Sequence, residues 1–358
     1  MHQRCKLILR ADATHSIGAG HLMRCIGLAQ AFRRRGGSAH FVVHTDSDAL
    51  IQRIRKEGFD CTILDKSYPD PADTEGVIRI AREARREQPG DTWIILDGYH
   101  FSEEYQKKLK LQGFRLLVID DMAHLEPYFA DILVNQNVYA KNLHYCTTGA
   151  HVLLGCKYSI LRTEFLSWRG WERQTPEHAG RILVTLGGSD PFNTTRTILE
   201  GIRCIGRSDL DVKVIVGPQN PNCSSIRQTL GCCTFRSEVL DSPEDMPGLM
   251  AWADVAVSGG GTTCLEMAYM GLPNLIVVLA DNQRRVAEVM EETGCSINLG
   301  VFEDLTTEKI SEALNGLICD KERRHAMQEA GRVLVDGRGG DRILDAIEER
   351  AACAGGTI

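Results

Sequence analysis

No stretch of the sequence reaches the roughly 18 to 20 consecutive apolar residues that a membrane-spanning helix requires, so a helical transmembrane protein is excluded. There is no excess of positive charge either. Lys plus Arg number 41 against 48 for Asp plus Glu, a formal net charge of −7. A broad electrostatic grip on nucleic acid or on an anionic membrane needs a cationic footprint, so neither is expected as a partner. Arg33, Arg34 and Arg35 read as a solvated helix end. The chain has 13 cysteines but no Cys-x-x-Cys pair, and Cys232 and Cys233 are adjacent. That spacing suits neither a zinc knuckle nor an ordinary disulfide. Reduced thiols are the expectation, and with them a cytoplasmic protein. Residues 1–10 lack the apolar core and cleavage site of a signal peptide, which supports the same expectation. No His or Cys cluster has ligand spacing, so no metal and no cofactor are expected, and a monomer is the default.

What is present is a length of 358 residues with 43% hydrophobic and 25% charged side chains. At about 150 residues per domain this predicts two domains. Residues 6–10, 39–44, 61–64, 93–97 and 115–119 read as buried strands, with 131–135 and 152–154 as further edge strands. Amphipathic helices lie between them; in 21–35, Leu22, Cys25, Ile26, Ala29 and Phe32 share one face. Residues 166–180 interrupt the alternation and read as a linker. Strands restart at 181–186, 212–216, 253–258 and 274–278, helices fill 307–350, and 354–358 reads as a frayed end. Strand and helix alternating in this way predict right-handed βαβ units and parallel sheets. The expected fold is α/β: two doubly wound Rossmann-like domains, residues 1–165 and 181–358, facing a central cleft.

In such sheets ligands bind outside the carboxyl ends of the strands, so the residues just after each strand carry the chemistry. The first group runs from Arg10 to His21, with Gly18 and Gly20 turning the backbone into a helix. A dinucleotide fingerprint would need a third glycine at position 23, which is Met23, so that motif is excluded. His21 stands in the first helical turn, where the positive end of the dipole disfavours imidazolium, as a general base requires. The alternative is a histidine that caps or packs. Arg10 and Asp12 could orient His21, contact substrate, or form a loop salt bridge. The second group is 185–195, where Gly187 and Gly188 let a phosphate approach the backbone and Asn193 or Thr194 could cap the next helix. The third is 256–266. Gly259, Gly260, Gly261, Thr262 and Thr263 separate a strand from a helix and offer backbone N–H groups to an anion. Glu266, one turn deeper, could accept from ribose hydroxyls or simply face solvent; Cys264 reads as a packed residue. No P-loop lysine is present, which disfavours nucleoside triphosphate hydrolysis. The fourth is 278–283, where Asn282 and Gln283 could bind sugar hydroxyls or amides, or Asp281 or Asn282 could cap a helix. Asp97, with Tyr99 two residues on, and the pair Asp120 and Asp121 also end strands. Adjacent carboxylates diverge, so that pair alone makes a poor metal site.

Together the motifs form an ordered set: Arg-Ala-Asp-Ala and Ile-Gly-Ala-Gly-His-Leu-Met-Arg-Cys, then Leu-Gly-Gly-Ser-Asp-Pro-Phe-Asn-Thr-Thr, then Ser-Gly-Gly-Gly-Thr-Thr-Cys-Leu-Glu, then Leu-Ala-Asp-Asn-Gln. The set resembles the UDP-2,4-diacetamido-2,4,6-trideoxy-β-L-altropyranose hydrolases of pseudaminic acid biosynthesis, which belong with the MurG-type, two-domain glycosyltransferases of the GT-B fold. The resemblance covers residues from about 6 to 335. It implies release of UDP by water attack at the anomeric carbon, with C–O cleavage and inversion. His21 would activate the water, with Asn282 and Tyr99 near the sugar and Arg10, Asp12 and Gly20 lining the same pocket. UDP would lie on Gly188, Asn193 and the Gly260-Gly261-Thr262 turn, with Glu266 on the ribose and Gln283 beside Asn282. His124 departs from the family pattern, which carries Asn-Arg in that stretch. A glycosyltransferase of the same fold, in which His21 activates an acceptor hydroxyl, is the alternative; the first half lacks an obvious exposed apolar stretch for a lipid acceptor, which favours water. A nucleotide-sugar-binding protein without catalysis would have no need of a poised base.

Overall fold

The computed structural model describes residues 5–14, 17–87, 91–188, 190–217 and 220–354. His15 and Ser189 of the motifs above, and residues 355–358 of the expected frayed end, lie outside the described residues. The chain forms two compact units, Met1–Thr163 with Gly337–Ile358, and Glu164–Asp336.

The first unit is built on a seven-stranded, all-parallel sheet. Its strands are β1 (Lys6–Ala11), β2 (Ser38–Val43), β3 (Asp60–Ile63), β4 (Thr92–Asp97), β5 (Arg115–Ile119), β6 (Ile132–Asn135) and β7 (His151–Leu154), in the order β3-β2-β1-β4-β5-β6-β7. Helices α1 (Gly20–Arg34), α2 (Asp48–Lys56), α3 (Pro71–Glu87) and α4 (Glu103–Leu111) connect the first five strands. A parallel sheet covered on both faces needs apolar side chains on both, which is why β1, β4 and β5 read as continuous hydrophobic runs. Leu7, Leu9 and Ile95 pack with Leu22, Cys25, Ile26 and Ala29 of α1 on one face. Ile8, Ile94 and Leu116 pack with Val77 and Ile80 of α3 and Tyr105 and Leu109 of α4 on the other. The strand order reverses between β1 and β4, which pair from Lys6↔Thr92 to Ala11↔Asp97. The loops after these two strands therefore open on the crevice where such folds bind ligands.

The second unit begins with the short helix α5 (Thr163–Leu166), followed by β8 (Arg181–Thr185), α6 (Thr194–Cys204), β9 (Asp211–Val216), α7 (Cys223–Gly231), β10 (Arg236–Asp241), α8 (Met246–Trp252), β11 (Val255–Gly259), α9 (Thr263–Tyr269), β12 (Asn274–Val278), α10 (Arg284–Glu292), β13 (Ser296–Val301), α11 (Thr307–Cys319) and α12 (Lys321–Leu334). Its sheet is again parallel, in the order β10-β9-β8-β11-β12-β13, with the reversal between β8 and β11. No helix among the described residues is long and apolar enough to cross a membrane.

Two boundaries differ from the sequence reading. The last helix, α13 (Gly339–Ala354), groups with the first unit and not with the second, as the span 181–358 had it. Ile343, Leu344, Ala346 and Ile347 of α13 are buried in the core that contains Leu7 and Leu22, and Arg35 at the end of α1 meets Asp345 at 2.7 Å and Glu348 at 2.8 Å. An amphipathic pattern shows that a helix buries a face; it does not say which sheet supplies the partner. Residues 166–180 likewise belong to the second unit. Arg173 is buried and donates to the carbonyls of Met250, Ala253 and Met270, at the C-terminal ends of α8 and α9. Arg324 similarly reaches the carbonyls of Leu317 and Ile318 at the end of α11 and that of Pro176. Guanidinium donors on unpaired helix-end carbonyls satisfy groups that would otherwise be buried without partners.

Candidate functional site

In the first unit β1 runs into a turn whose Gly18 has φ +76°, and α1 begins at Gly20. The N-cap of α1, Ala19, has no side-chain hydrogen bond to the helix. His21 is the second residue of the helix and keeps a side-chain exposure of 11%. Its Nδ1 lies 2.6 Å from Oδ1 of Asp97, the last residue of β4. Tyr99, two residues further, presents its ring to the imidazole edge-on at 4.8 Å. Among the described residues no protein group is hydrogen-bonded to Nε2 of His21.

Asp97 is fully buried. Burial by itself would raise its carboxyl, but the charge of Arg24, and after it that of His21, holds it down to about 2. Arg24 donates to Asp97 through Nε (2.8 Å) and Nη2 (2.7 Å), and to both oxygens of Asp121 through Nη1 (3.1 and 3.0 Å). Asp121 also accepts from the Tyr99 hydroxyl at 3.0 Å and from Asn137 Nδ2 at 2.7 Å. Burial, and then the Asp121 carboxylate, push the Tyr99 hydroxyl well above the usual phenol range, so it acts as a donor. With Asp97 ionised, Nδ1 of His21 is assigned the proton and Nε2 the lone pair. The arrangement can take one proton from a group presented to Nε2.

Asp120 and Asp121 diverge as adjacent side chains should. Asp120 turns to Nδ1 of His124 at 2.8 Å and to the backbone N–H groups of Met122 and Ala123. The hydrogen bond that the His124 ring donates to Asp120 raises the imidazole above its ordinary value. Arg10 and Asp12 do not reach His21 by any hydrogen bond described. Arg10 is 0% exposed and divides its guanidinium between Asp12 and Asp73. Asp12 is also buried, accepts from the His44 backbone N–H at 2.9 Å and lies 3.0 Å from His100 Nε2. Burial would raise its carboxyl, and the contacts with His100 and Arg10 hold it far below the usual range. Of the readings open for this pair, the loop salt bridge is the one the geometry displays: the pair braces the end of β1, and a fully buried guanidinium has no surface to offer a substrate.

In the second unit the reversal point is lined by the loops after β8 and β11. Gly187 has φ +90°, Gly188 is exposed, and Asp190 is buried. The carboxylate of Asp190 accepts from the backbone N–H groups of Thr194 and Thr195, both at 2.9 Å. Asn193 occupies the N-cap position of α6 in the left-handed conformation, and its side chain donates to Ser225 at 3.1 Å instead of capping the helix. The expected cap is therefore supplied by Asp190, and those two N–H groups are closed to a phosphate. After β11 the situation differs. Gly261 and Thr262 are exposed, and Thr262, the N-cap of α9, makes no side-chain cap. Gln283 ties this loop to the one after β12: its Oε1 accepts from Gly260 N–H at 3.1 Å and from Leu279 N–H at 3.0 Å. A Cβ at Gly260 would come within 2.9 Å of Gln283, so glycine is required there for close approach. At Gly20, Gly188 and Gly261 a Cβ would meet nothing within 4 Å; the absent side chain leaves the backbone open to a ligand. Asn282 is exposed in the turn Asp281–Gln283, and Glu266 is half-buried on α9. Burial pushes the Cys264 thiol up to about 12, in keeping with a packed residue.

Residues 181–335 match the glycosyltransferase family 28 C-terminal domain. That match lies within the second unit. The fold of the whole is GT-B, and it is similar to the crystal structure of Acinetobacter baumannii MurG, with a TM-score of 0.69 and 13% identity over 97% of this chain and 99% of that one. In sequence the chain is 22% identical to the spore coat polysaccharide biosynthesis protein SpsG of Bacillus subtilis, covering 95% of this chain and 96% of that protein. It is 24% identical to the UDP-2,4-diacetamido-2,4,6-trideoxy-β-L-altropyranose hydrolase of Campylobacter jejuni, over 62% of this chain and 73% of that one. Within residues 181–335 the structure brings Gly260 and Gln283 into direct contact and places Asn193 on a different helix start from Gly261 and Thr262.

Sequence reasoning missed Arg24, Asp121 and Asn137 as members of the first-unit cluster, and read Asp97 only as a strand end. The available signal was a carboxylate closing a wholly apolar strand, with an arginine one helical turn after the histidine.

Proposed function

We propose that the chain is a nucleotide-sugar hydrolase that releases UDP from UDP-2,4-diacetamido-2,4,6-trideoxy-β-L-altrose, as in pseudaminic acid biosynthesis. The observation that carries the reading is the His21–Asp97 pair, 2.6 Å apart at the strand ends of the sheet reversal, with no hydrogen bond to Nε2 among the described residues. In the reaction Nε2 takes a proton from water as the water oxygen forms a bond to the anomeric carbon. The bond from that carbon to the phosphate oxygen breaks, its electron pair leaves with UDP, and the configuration inverts. UDP is a good leaving group, so one positioned base with donors on the phosphates suffices. In this reading Gly188 and the Gly261-Thr262 start of α9, held by Gly260, receive the diphosphate, Glu266 the ribose, and Asn282 and Tyr99 face the sugar. Gln283 acts by holding the Gly260 loop, and Asp190 by filling the start of α6 so that the anion is directed to α9.

A second reading, a MurG-like glycosyltransferase, is favoured by the family 28 match and the likeness to MurG. There Nε2 would deprotonate an acceptor hydroxyl in place of water. Proton NMR of the purified chain with the UDP-sugar and no acceptor separates the two. Free sugar and UDP from the wild type but not from His21→Ala are expected. Substrate that binds and stays intact would sink the hydrolase reading in favour of the transferase.

A further inference from the structure

Arg24 is buried on α1, three residues after His21, and among the described residues it is the one side chain that touches both carboxylates of the cluster. We propose that Arg24 is a positioning residue that keeps His21 usable as a base, by sharing one guanidinium between Asp97 and Asp121. The inference rests on the role given to His21 above.

A carboxylate against an imidazole nitrogen favours the protonated ring; an opposite charge within about 4–6 Å typically shifts a titration by ~1–3 units. Asp97 alone, 2.6 Å from Nδ1, would therefore load His21 with a second proton and remove the lone pair that the reaction needs. The structure answers this with a cation on the same carboxylate. Oδ1 of Asp97 receives Arg24 Nη2 at 2.7 Å beside His21, and Oδ2 receives Arg24 Nε at 2.8 Å. Nη2 also stands 3.5 Å from Nδ1 of His21, where it opposes a charge on the ring directly. Asp97 thus retains its geometric function, fixing the tautomer and the ring, while its charge is largely offset.

Asp121 sets how much of that offset is available. It draws on the same guanidinium through Nη1 and is itself held by Tyr99 and Asn137. Only a planar fork with donors on three nitrogens serves both carboxylates at once; a lysine ammonium is a single point. Among the described residues of the first unit, the charged and titratable groups facing His21 are Asp97 from β4, Arg24 from α1, Tyr99 after β4 and, beyond Arg24 and Tyr99, Asp121 and His124 after β5. Two are carboxylates and one is a permanent cation, so changing either side moves His21 in opposite directions.

The test is an NMR titration of His21 in the full chain labelled in its histidines, with the signal assigned by its loss in His21→Ala. Arg24→Gln should raise the protonation midpoint of His21 by about one to three pH units, and Arg24→Lys by less. Asp121→Asn should lower it. The acid limb of kcat/KM should follow, so that Arg24→Gln is at least about tenfold slower near pH 7 and regains rate near pH 9. A midpoint that is unmoved or lowered in Arg24→Gln overturns the proposal. Should Arg24→Gln fail to fold, Asp121→Asn decides: a midpoint that does not fall overturns it. Midpoints that move as expected in a protein that never releases UDP would uphold the role of Arg24 and overturn the hydrolase reading instead.

Discussion

Asp97 shows how one side chain sets two properties. Its folded carboxyl, at about 2 against 3.8 for a free one, means that folding favours the ionised form. The resulting stabilisation is complete above roughly pH 4 and is lost as the pH falls toward 2, a contribution of about 2 kcal/mol. Asp97→Asn should flatten that part of the stability–pH curve, measured by circular dichroism during acid titration. It should also lower kcat by about 10²- to 10⁴-fold, because an amide can present its N–H to Nδ1 and stabilise the wrong tautomer. An unchanged kcat would remove Asp97 from the mechanism. At this scale the place of His21 in the first turn of a helix was legible, because Gly18 and Gly20 mark the strand-to-helix turn. Its partners were not. Asp97 and Asp121 lie 76 and 100 positions away in sequence, and pairing at that range is set by strand order, which no local pattern encodes. Arg10 and Asp12 illustrate the converse: charged residues beside a motif that face inward, where Asp73 and His100 meet them.

Elements impose their own constraints on the second unit. Because Asp190 accepts from two N–H groups at the start of α6, Asp190→Ala should cost about 1 to 2 kcal/mol of stability. Differential scanning calorimetry of the variant checks this, and an unaltered transition would show that water replaces the carboxylate without loss. Strands in the sheet interior were read from their apolar runs, but β10 and β13 were not. In β10 the sequence Arg-Ser-Glu-Val-Leu-Asp sits at the sheet edge, half exposed, and carries charges that edge strands use to discourage further pairing. In β13 Gly300 lies within the register irregularity between Asn298, paired with Ile276, and Val301, paired with Val278, and a glycine near a strand end resembles a turn in sequence. The glycine loops were recognisable as strand-to-helix turns; which of their N–H groups are already taken depended on Asp190 and Gln283.

For the molecule as a whole, the division into units follows packing and not chain order. Gly339 makes the point at atomic scale: a Cβ there would lie 2.2 Å from the carbonyl oxygen of Ser159, and backbone cannot step aside cheaply. Gly339→Ala should therefore destabilise the first unit by about 1 to 3 kcal/mol, lowering its melting transition by several degrees while that of the second unit stays in place. Equal shifts in both transitions would contradict the assignment of α13. The α/β class and the repetition of one architecture were legible from periodicity alone; the return of the last helix was not, because any doubly wound sheet could have covered its apolar face.

That return has a consequence for synthesis. The first unit takes its residues from Met1–Thr163 and Gly337–Ile358, whereas the second is the continuous run Glu164–Asp336. On the ribosome the earlier-made sheet must wait, with the surface meant for Ile343 and Ile347 uncovered, while the entire second unit is translated. At ~5–20 residues per second that delay is on the order of ten to thirty seconds. The segment made first is thus the last to finish folding, and its nascent form is the one most in need of a chaperone.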